Sequence, residues 1–332
     1  MQREVTPDHE DARPVAAVEE RPGGRVRPRA DLRTDLRAAL PDAAAAVGVT
    51  LAVFVFLYVR MRSGASATVA VMPFMDDPDT FWMYLLSQAF GWSGLLWAYG
   101  TVMLGLLLSG PGPGRLPVSR PRLERWHRTT SLTTMALMFA HALMFAAELV
   151  RYEVALPWAS RLWSAFADTF VPGWYDSGTG RLAIPLGQGA LYLAVPLGLL
   201  FYVRHRIGAG TWRRVHRFVI LVYVLSVWHT LLYGTNVWYG EWPRTALWLL
   251  QLPVAVLLVL RLVRPARRSE RLGAPGGGRG AAVAGWTARA AGRLAAVAVV
   301  VGLLAVVLSG HDGGRPRPAA PPATTPHHHE PE

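Results

Sequence analysis

The chain has 332 residues, 52% hydrophobic and only 17% charged, too little polar surface for a soluble domain of this size. Its net charge of +12 comes from arginine clusters between apolar stretches, a pattern that records orientation in a bilayer and argues against nucleic-acid binding. Cysteine is absent, which excludes disulfides, thiolate metal sites, iron–sulfur clusters and thiol redox chemistry.

Residues 1–39 are rich in Arg, Asp, Glu and Pro and read as a disordered cytoplasmic tail. Leu32, Leu36 and Leu40, spaced by four, predict a short interfacial helix at its end. The tail lacks the apolar core and cleavage site of a signal peptide. A first span is expected over residues 43–58, short for a bilayer of roughly 30 Å. After a loop with Asp76, Asp77 and Asp79, a second span lies within residues 81–108 and ends at Ser109-Gly-Pro-Gly-Pro-Gly. The loop beyond it carries Arg115, Arg120, Arg122 and Arg125.

The third span, residues 125–150, contains His127 and His141. The loop over residues 151–181 holds Trp158, Trp163 and Trp174, which suit an interfacial cap. Span four, residues 182–203, is interrupted by Pro185 and Pro196, tolerable where neighbouring helices re-satisfy the backbone. Arg204, Arg206, Arg213 and Arg214 precede span five, residues 211–234, with His216 and His229. An aromatic loop with Trp238, Tyr239 and Trp242 leads to span six, residues 245–263. A Gly/Arg-rich linker (265–289) precedes a seventh span within residues 290–309, and residues 310–332 form a Pro-rich tail.

The basic loops alternate consistently, so the expected topology is seven spans in the cell membrane, N-terminus cytoplasmic and C-terminus external. The fold class follows as an all-α polytopic helix bundle, with residues 40–264 as its six-span core. Spans three and five then run in the same direction.

Hydrocarbon offers a histidine no hydrogen-bonding water, so intramembrane histidines are candidate functional residues. Spans three and five open alike, with Arg125-Trp-His127-Arg128 and Arg214-Val-His216-Arg217. Each places its second histidine before x-Leu, and the intervals are thirteen residues in one and twelve in the other. Parallel helices so marked predict two cross-helix pairs, His127 with His216 and His141 with His229, each able to hold a haem iron between two imidazoles. Arg128 and Arg217 can pair with haem propionates near the interface. About 20 Å of helix rise would separate the two sites.

The rotation does not close equally well. At about 100° per residue, His141 returns to within roughly 40° of the His127 face, whereas His216 and His229 fall about 140° apart. The second helix therefore needs tilt, a local distortion, or a ligand drawn from the helix start. Tyr223 lies between its histidines, as an electron stepping residue or as packing. Trp126 and Trp228 can stack on a macrocycle or fill the bundle. Glu148 has Arg151 as its expected partner. Gly276, Gly278 and Ala281 fit G-x-G-x-x-A, but no strand precedes them, so no dinucleotide site is expected.

At these histidines the sequence resembles the ferric reductase-like transmembrane domain family. That family includes the membrane parts of ferric reductases and NADPH oxidases, and the haem subunit of the bacterial methionine sulfoxide reductase system. The resemblance covers about residues 43–263. It implies that His127 and His216 ligate an inner haem b and His141 and His229 an outer one, in a protein that carries electrons from a cytoplasmic flavin or quinol to an acceptor at the other face. The family's cytoplasmic FAD and NADPH domain has no room here, which leaves a separate flavin reductase or quinol as donor. A ferric chelate or an external protein is the expected acceptor. Two rivals stand beside this reading: a quinol-linked cytochrome that anchors a catalytic partner, and a haem-free transporter or structural protein whose histidines are polar helix contacts.

Overall fold

The computed structural model describes residues 31–110, 118–263 and 279–317. It is 79% helical, and the described residues contain no strand beyond a single bridge between Tyr239 and Arg315. Among the described residues, seven helices are long and apolar enough to cross a membrane. The all-α polytopic architecture is the one expected.

The interfacial helix α1 (Leu32–Ala38) starts at Asp31, whose carboxylate caps the amides of Arg33 and Thr34. Leu36 of this helix is exposed, as is Leu40, which begins the next one. Span one is α2 (Leu40–Arg62), longer than expected at both ends and begun by a proline in its first turn. A short helix α3 (Ala67–Val71), capped by Ser66, links it to α4 (Trp82–Ser109).

Span three is α5 (Arg120–Tyr152). The expected Glu148–Arg151 pair forms at 2.9 Å. The loop beyond is largely the amphipathic helix α6 (Trp158–Phe170). Ala165, Ala167 and Thr169 in its second half are buried, while Trp158, Leu162, Trp163 and Phe166 are exposed.

Span four is α7 (Gly180–Leu199), which accommodates Pro185 and Pro196 internally. A four-residue helix α8 (Arg204–Ile207) and Gly208 at φ 82° turn the chain into α9 (Ala209–His216). The histidine helix of span five is interrupted directly after His216 and resumes as α10 (Val219–Tyr233). Span six is likewise two segments, α11 (Trp242–Leu249) and α12 (Gln251–Val263). Helix α13 (Arg279–Ser309) holds the seventh span and begins inside the stretch read as linker. The Gly276 and Gly278 motif lies outside the described residues, as do residues 1–30 of the N-terminal tail.

Helix α4 packs along α5, and α7 along α10, while α4 meets α10 and α7 meets α5. These four form the centre. Helix α2 covers α4, and α12 with α13 closes the side nearest α4. The main core joins Leu95, Val102, Tyr223, Val227, Leu231 and Trp248, with Leu303 and Val306 of α13 packed against it. Exposed apolar rows such as Val47, Leu51, Val55 and Val59 on α2 face outward, where lipid replaces water as solvent.

Candidate functional site

The four intramembrane histidines meet in two pairs. The rings of His127 and His216 lie 6.2 Å apart between centroids, and those of His141 and His229 lie 6.0 Å apart. Because the first histidine of α5 meets the first of span five, and the second meets the second, the two helices run parallel.

Each ring is oriented by a carbonyl of the helix beside it. His127 Nδ1 is 3.0 Å from the Thr101 carbonyl and His141 Nδ1 is 2.7 Å from that of Ser87, both on α4. His229 Nδ1 is 2.8 Å from the Ala183 carbonyl and His216 Nδ1 is 3.5 Å from that of Leu197, both on α7. A carbonyl only accepts, so Nδ1 must carry the proton in every ring. The proton-free Nε2 lone pair is thereby left for a metal, the arrangement by which proteins fix a histidine ligand.

Glycines make this approach possible. A methyl group on Gly91 would stand 3.1 Å from His141 Nδ1, one on Gly105 3.1 Å from His127 Cε1, and one on Gly187 2.8 Å from His229 Nδ1. Each glycine follows its acceptor residue by one helical turn: Ser87 and Gly91, Thr101 and Gly105, Ala183 and Gly187. His216 has no such glycine. Its acceptor, Leu197, lies in the last turn of α7, where carbonyls lack intrahelical partners. Trp212 supports the ring instead, stacked at 5.2 Å and 25°.

The helix interruption answers the rotation problem. Phe218 bonds to Val215 and Leu221 to Phe218 at the tighter i to i+3 spacing, so α9 and α10 are separate segments. The faces of His216 and His229 are then no longer tied by one helical rotation. Of the three remedies, the protein uses a local distortion.

The spacing fits an iron tetrapyrrole. Two imidazoles bound through Nε2, with metal bonds of about 2.0 Å and about 1.1 Å from ring centre to nitrogen, place their centroids about 6.2 Å apart. Among the described residues no three or more His, Asp or Glu side chains gather as a metal cluster. An iron held between one such pair must therefore bring its own equatorial ligands, as a macrocycle does.

A cavity surrounds His141 and His229. Its apolar wall includes Phe90, Leu95, Met138 and Leu191, with Tyr84, Gln88, Tyr233 and Asn236 among its polar groups, and none of its lining residues is charged. Gln88 donates to Thr235 at 2.8 Å, which in turn lies 2.8 Å from Thr68.

The remaining candidates separate clearly. Arg128 donates to Asp35 of α1 at 3.1 Å, lies over the Phe201 ring, and shares that carboxylate with the Tyr202 hydroxyl. Its other N–H groups leave capacity for a second anion. Arg217 is exposed at the interruption after His216. Tyr223 is buried and donates to Gln251 at 2.8 Å, joining the core between α4 and α12. Trp126 and Trp228 are both largely exposed, and Trp228 meets Trp248 edge to face.

Sequence reasoning missed the glycines and the carbonyl acceptors. A signal was present: Gly91 and Gly105 are fourteen residues apart, the same interval that separates His127 from His141 on the antiparallel neighbour.

These features define a multi-pass membrane protein with two histidine pairs between parallel helices. Residues 90–227 match the family model described as ferric reductase like transmembrane component, so this region of the chain is similar to that family's transmembrane domain. The match is narrower than residues 43–263; it takes in His127, His141 and His216 and stops two residues before His229. No curated protein and no solved structure matches the chain significantly.

Proposed function

We propose that this membrane component of a ferric reductase-like electron-transfer system is a b-type cytochrome, with one haem at His127 and His216 and a second at His141 and His229. The observation that carries this reading is the set of four Nδ1-to-carbonyl contacts on rings paired at 6.2 and 6.0 Å between centroids. A haem so bound supplies one-electron redox chemistry. The chain's own residues set the ligand tautomer, fix the ring planes, exclude water and hold the two sites about 20 Å apart along the helices.

On the arginine pattern, the His127 and His216 pair is cytoplasmic and the His141 and His229 pair external, with the N-terminus inside. Residues 40–264 form the redox core, and α13 with its tail is an addition. Arg128, and Arg217 at the same depth, are suited to propionates of the cytoplasmic haem. The donor in this reading is a separate flavin reductase or a quinol, and the acceptor an external protein or a ferric chelate.

Haem content by pyridine haemochrome tests the pairing. Two haems per chain are expected in the wild type. His127→Ala and His216→Ala should lose the same one, and His141→Ala and His229→Ala the other. Two haems in every mutant, or none in wild type expressed with ample haem, overturns the assignment. Topology is tested by reporter fusions at Arg206, expected cytoplasmic, and Gly314, expected external.

A further inference from the structure

Beyond its four central helices the protein carries a built contact that redox chemistry alone does not account for. After α13 the chain folds back over residues 311–317 onto the loop between α10 and α11. Gly240 donates to Arg315 at 2.9 Å, and Arg315 returns a bond to Trp238 at 3.1 Å. The Arg315 guanidinium sits 3.6 Å above the Trp238 ring. Arg317 grips Glu241 with two bonds, of 2.6 and 2.9 Å. The strands cross so closely that a side chain on Gly314 would meet the Gly240 Cα at 2.5 Å.

At the centre of this contact lies Arg244, only 5% exposed. Its Nη1 donates to the Leu231 carbonyl at 3.0 Å and the Val237 carbonyl at 2.8 Å. Leu231 is two residues beyond His229, in the last turn of α10, where carbonyls lack helical partners and a cation complements the helix dipole. Val237 follows Asn236, which lines the His141–His229 cavity together with Gly234. Arg244 therefore fixes both ends of the loop that walls this cavity. Its other side belongs to the fold-back: Nη2 donates to the Asp312 carbonyl at 2.7 Å, and Nε lies 3.3 Å from Asp312 Oδ2. A buried guanidinium needs that carboxylate, because an unpaired charge in such a place is costly.

We infer that residues 311–317 are a positioning element of the His141–His229 site, acting through the Asp312–Arg244 pair on the end of the His229 helix. The segment is a strap. It also ties the end of α13 to the bundle, while midway along that helix Arg293 donates to the Leu262 carbonyl at 2.8 Å.

The inference rests on His141 and His229 acting as ligands of one group, and the test separates the two claims. Three variants of the full-length protein are compared, Asp312→Asn, Asp312→Ala and Arg244→Lys, with Asp312→Asn the mildest because it keeps shape and the backbone contact. The chain has no cysteine, so Asn236→Cys gives a single thiol whose maleimide labelling reports loop opening whether or not haem is present. Several-fold faster labelling is expected in each Asp312 variant, with faster loss of the haem assigned to His141 and His229 and no change at the other. Arg244→Lys keeps the positive charge but not the forked contact, giving an intermediate effect. Unchanged labelling and unchanged haem retention in all three overturns the inference. Equal loss of both haems overturns it as well, because the strap would then serve only the fold. Faster labelling in a protein whose wild type holds no haem would remove the proposed function while confirming that the strap pins the loop.

Discussion

The two histidine pairs are built from the same parts but held with different firmness. At His141 and His229 both carbonyl contacts are short, 2.7 and 2.8 Å, and a glycine stands behind each ring. At His127 and His216 they are 3.0 and 3.5 Å, only one ring has its glycine, and the helix breaks beside the other. The difference teaches that a ligand's precision comes from the neighbouring helix. Where α4 or α7 offers a carbonyl with a glycine one turn further on, the imidazole is fixed. Where α7 has reached its end, an aromatic stack has to substitute.

The largest test of this contrast is Gly187→Ala. Its new methyl would press on the His229 ring at 2.8 Å. Losing the contacts that orient a ligand weakens metal binding by about 10- to 100-fold, to be measured as haem retention in detergent. Alanine also favours a helix by about 1 kcal/mol over glycine. A loss in spite of that gain identifies ring displacement as the cause; full retention would sink the idea that the glycine makes room.

A smaller effect is expected for Gly105→Ala, whose methyl would stand 3.1 Å from His127 beside an already looser partner. The haem of that pair should shift its absorption or resonance signature without leaving. Complete loss would mean the first site is no more adaptable than the second.

Smaller still is Trp212→Leu, which removes the stack on His216. Aromatic pairing contributes about 0.5–1.5 kcal/mol beyond burial, so a few-fold faster haem dissociation is expected at the first site and none at the second. An effect at the second site would break the assignment of Trp212 to His216.

The smallest concerns pH. Two bonds from Arg317 hold the Glu241 carboxyl below its usual value. A depressed carboxylate stabilises the fold above its unfolded pKa of about 4.3, and that contribution is lost as pH falls through the lower folded value. The pair is half-exposed, so the effect is slight. Arg317→Ala should raise the Glu241 titration midpoint, read by NMR, and leave both histidine pairs untouched.

Much of this was legible in the sequence because the signals were periodic or costly. Apolar runs and arginine loops placed all seven spans, and four histidines in hydrocarbon could hardly be accidental. The interruption after His216 was not legible, for no glycine or proline stands at Arg217 or Phe218 to announce it. Only the mismatch in rotation hinted that one had to exist. The glycines were hidden by abundance, since the chain has 32 of them and only register against a partner helix singles out three. Arg244 was missed because basic residues at span ends read as topology signals, whereas this one is buried and paired. Helix α6 was read as a tryptophan-rich loop; its apolar residues recur at helical spacing, but over too short a length to stand out.

The crossing of Gly240 and Gly314 has a consequence for biogenesis. The strap lies some seventy residues beyond the loop it pins, and synthesis at about 5–20 residues per second delays it by roughly 4–15 seconds. During that interval the four central helices are already made, while the wall formed by Gly234 and Asn236 is still untied. The growing chain thus has an interval in which a broad, rigid group can enter sideways, and completing the chain ends it. Chains stalled before Ser309 should load haem at the His141–His229 site faster than finished ones; equal rates would show that the strap is no barrier to entry.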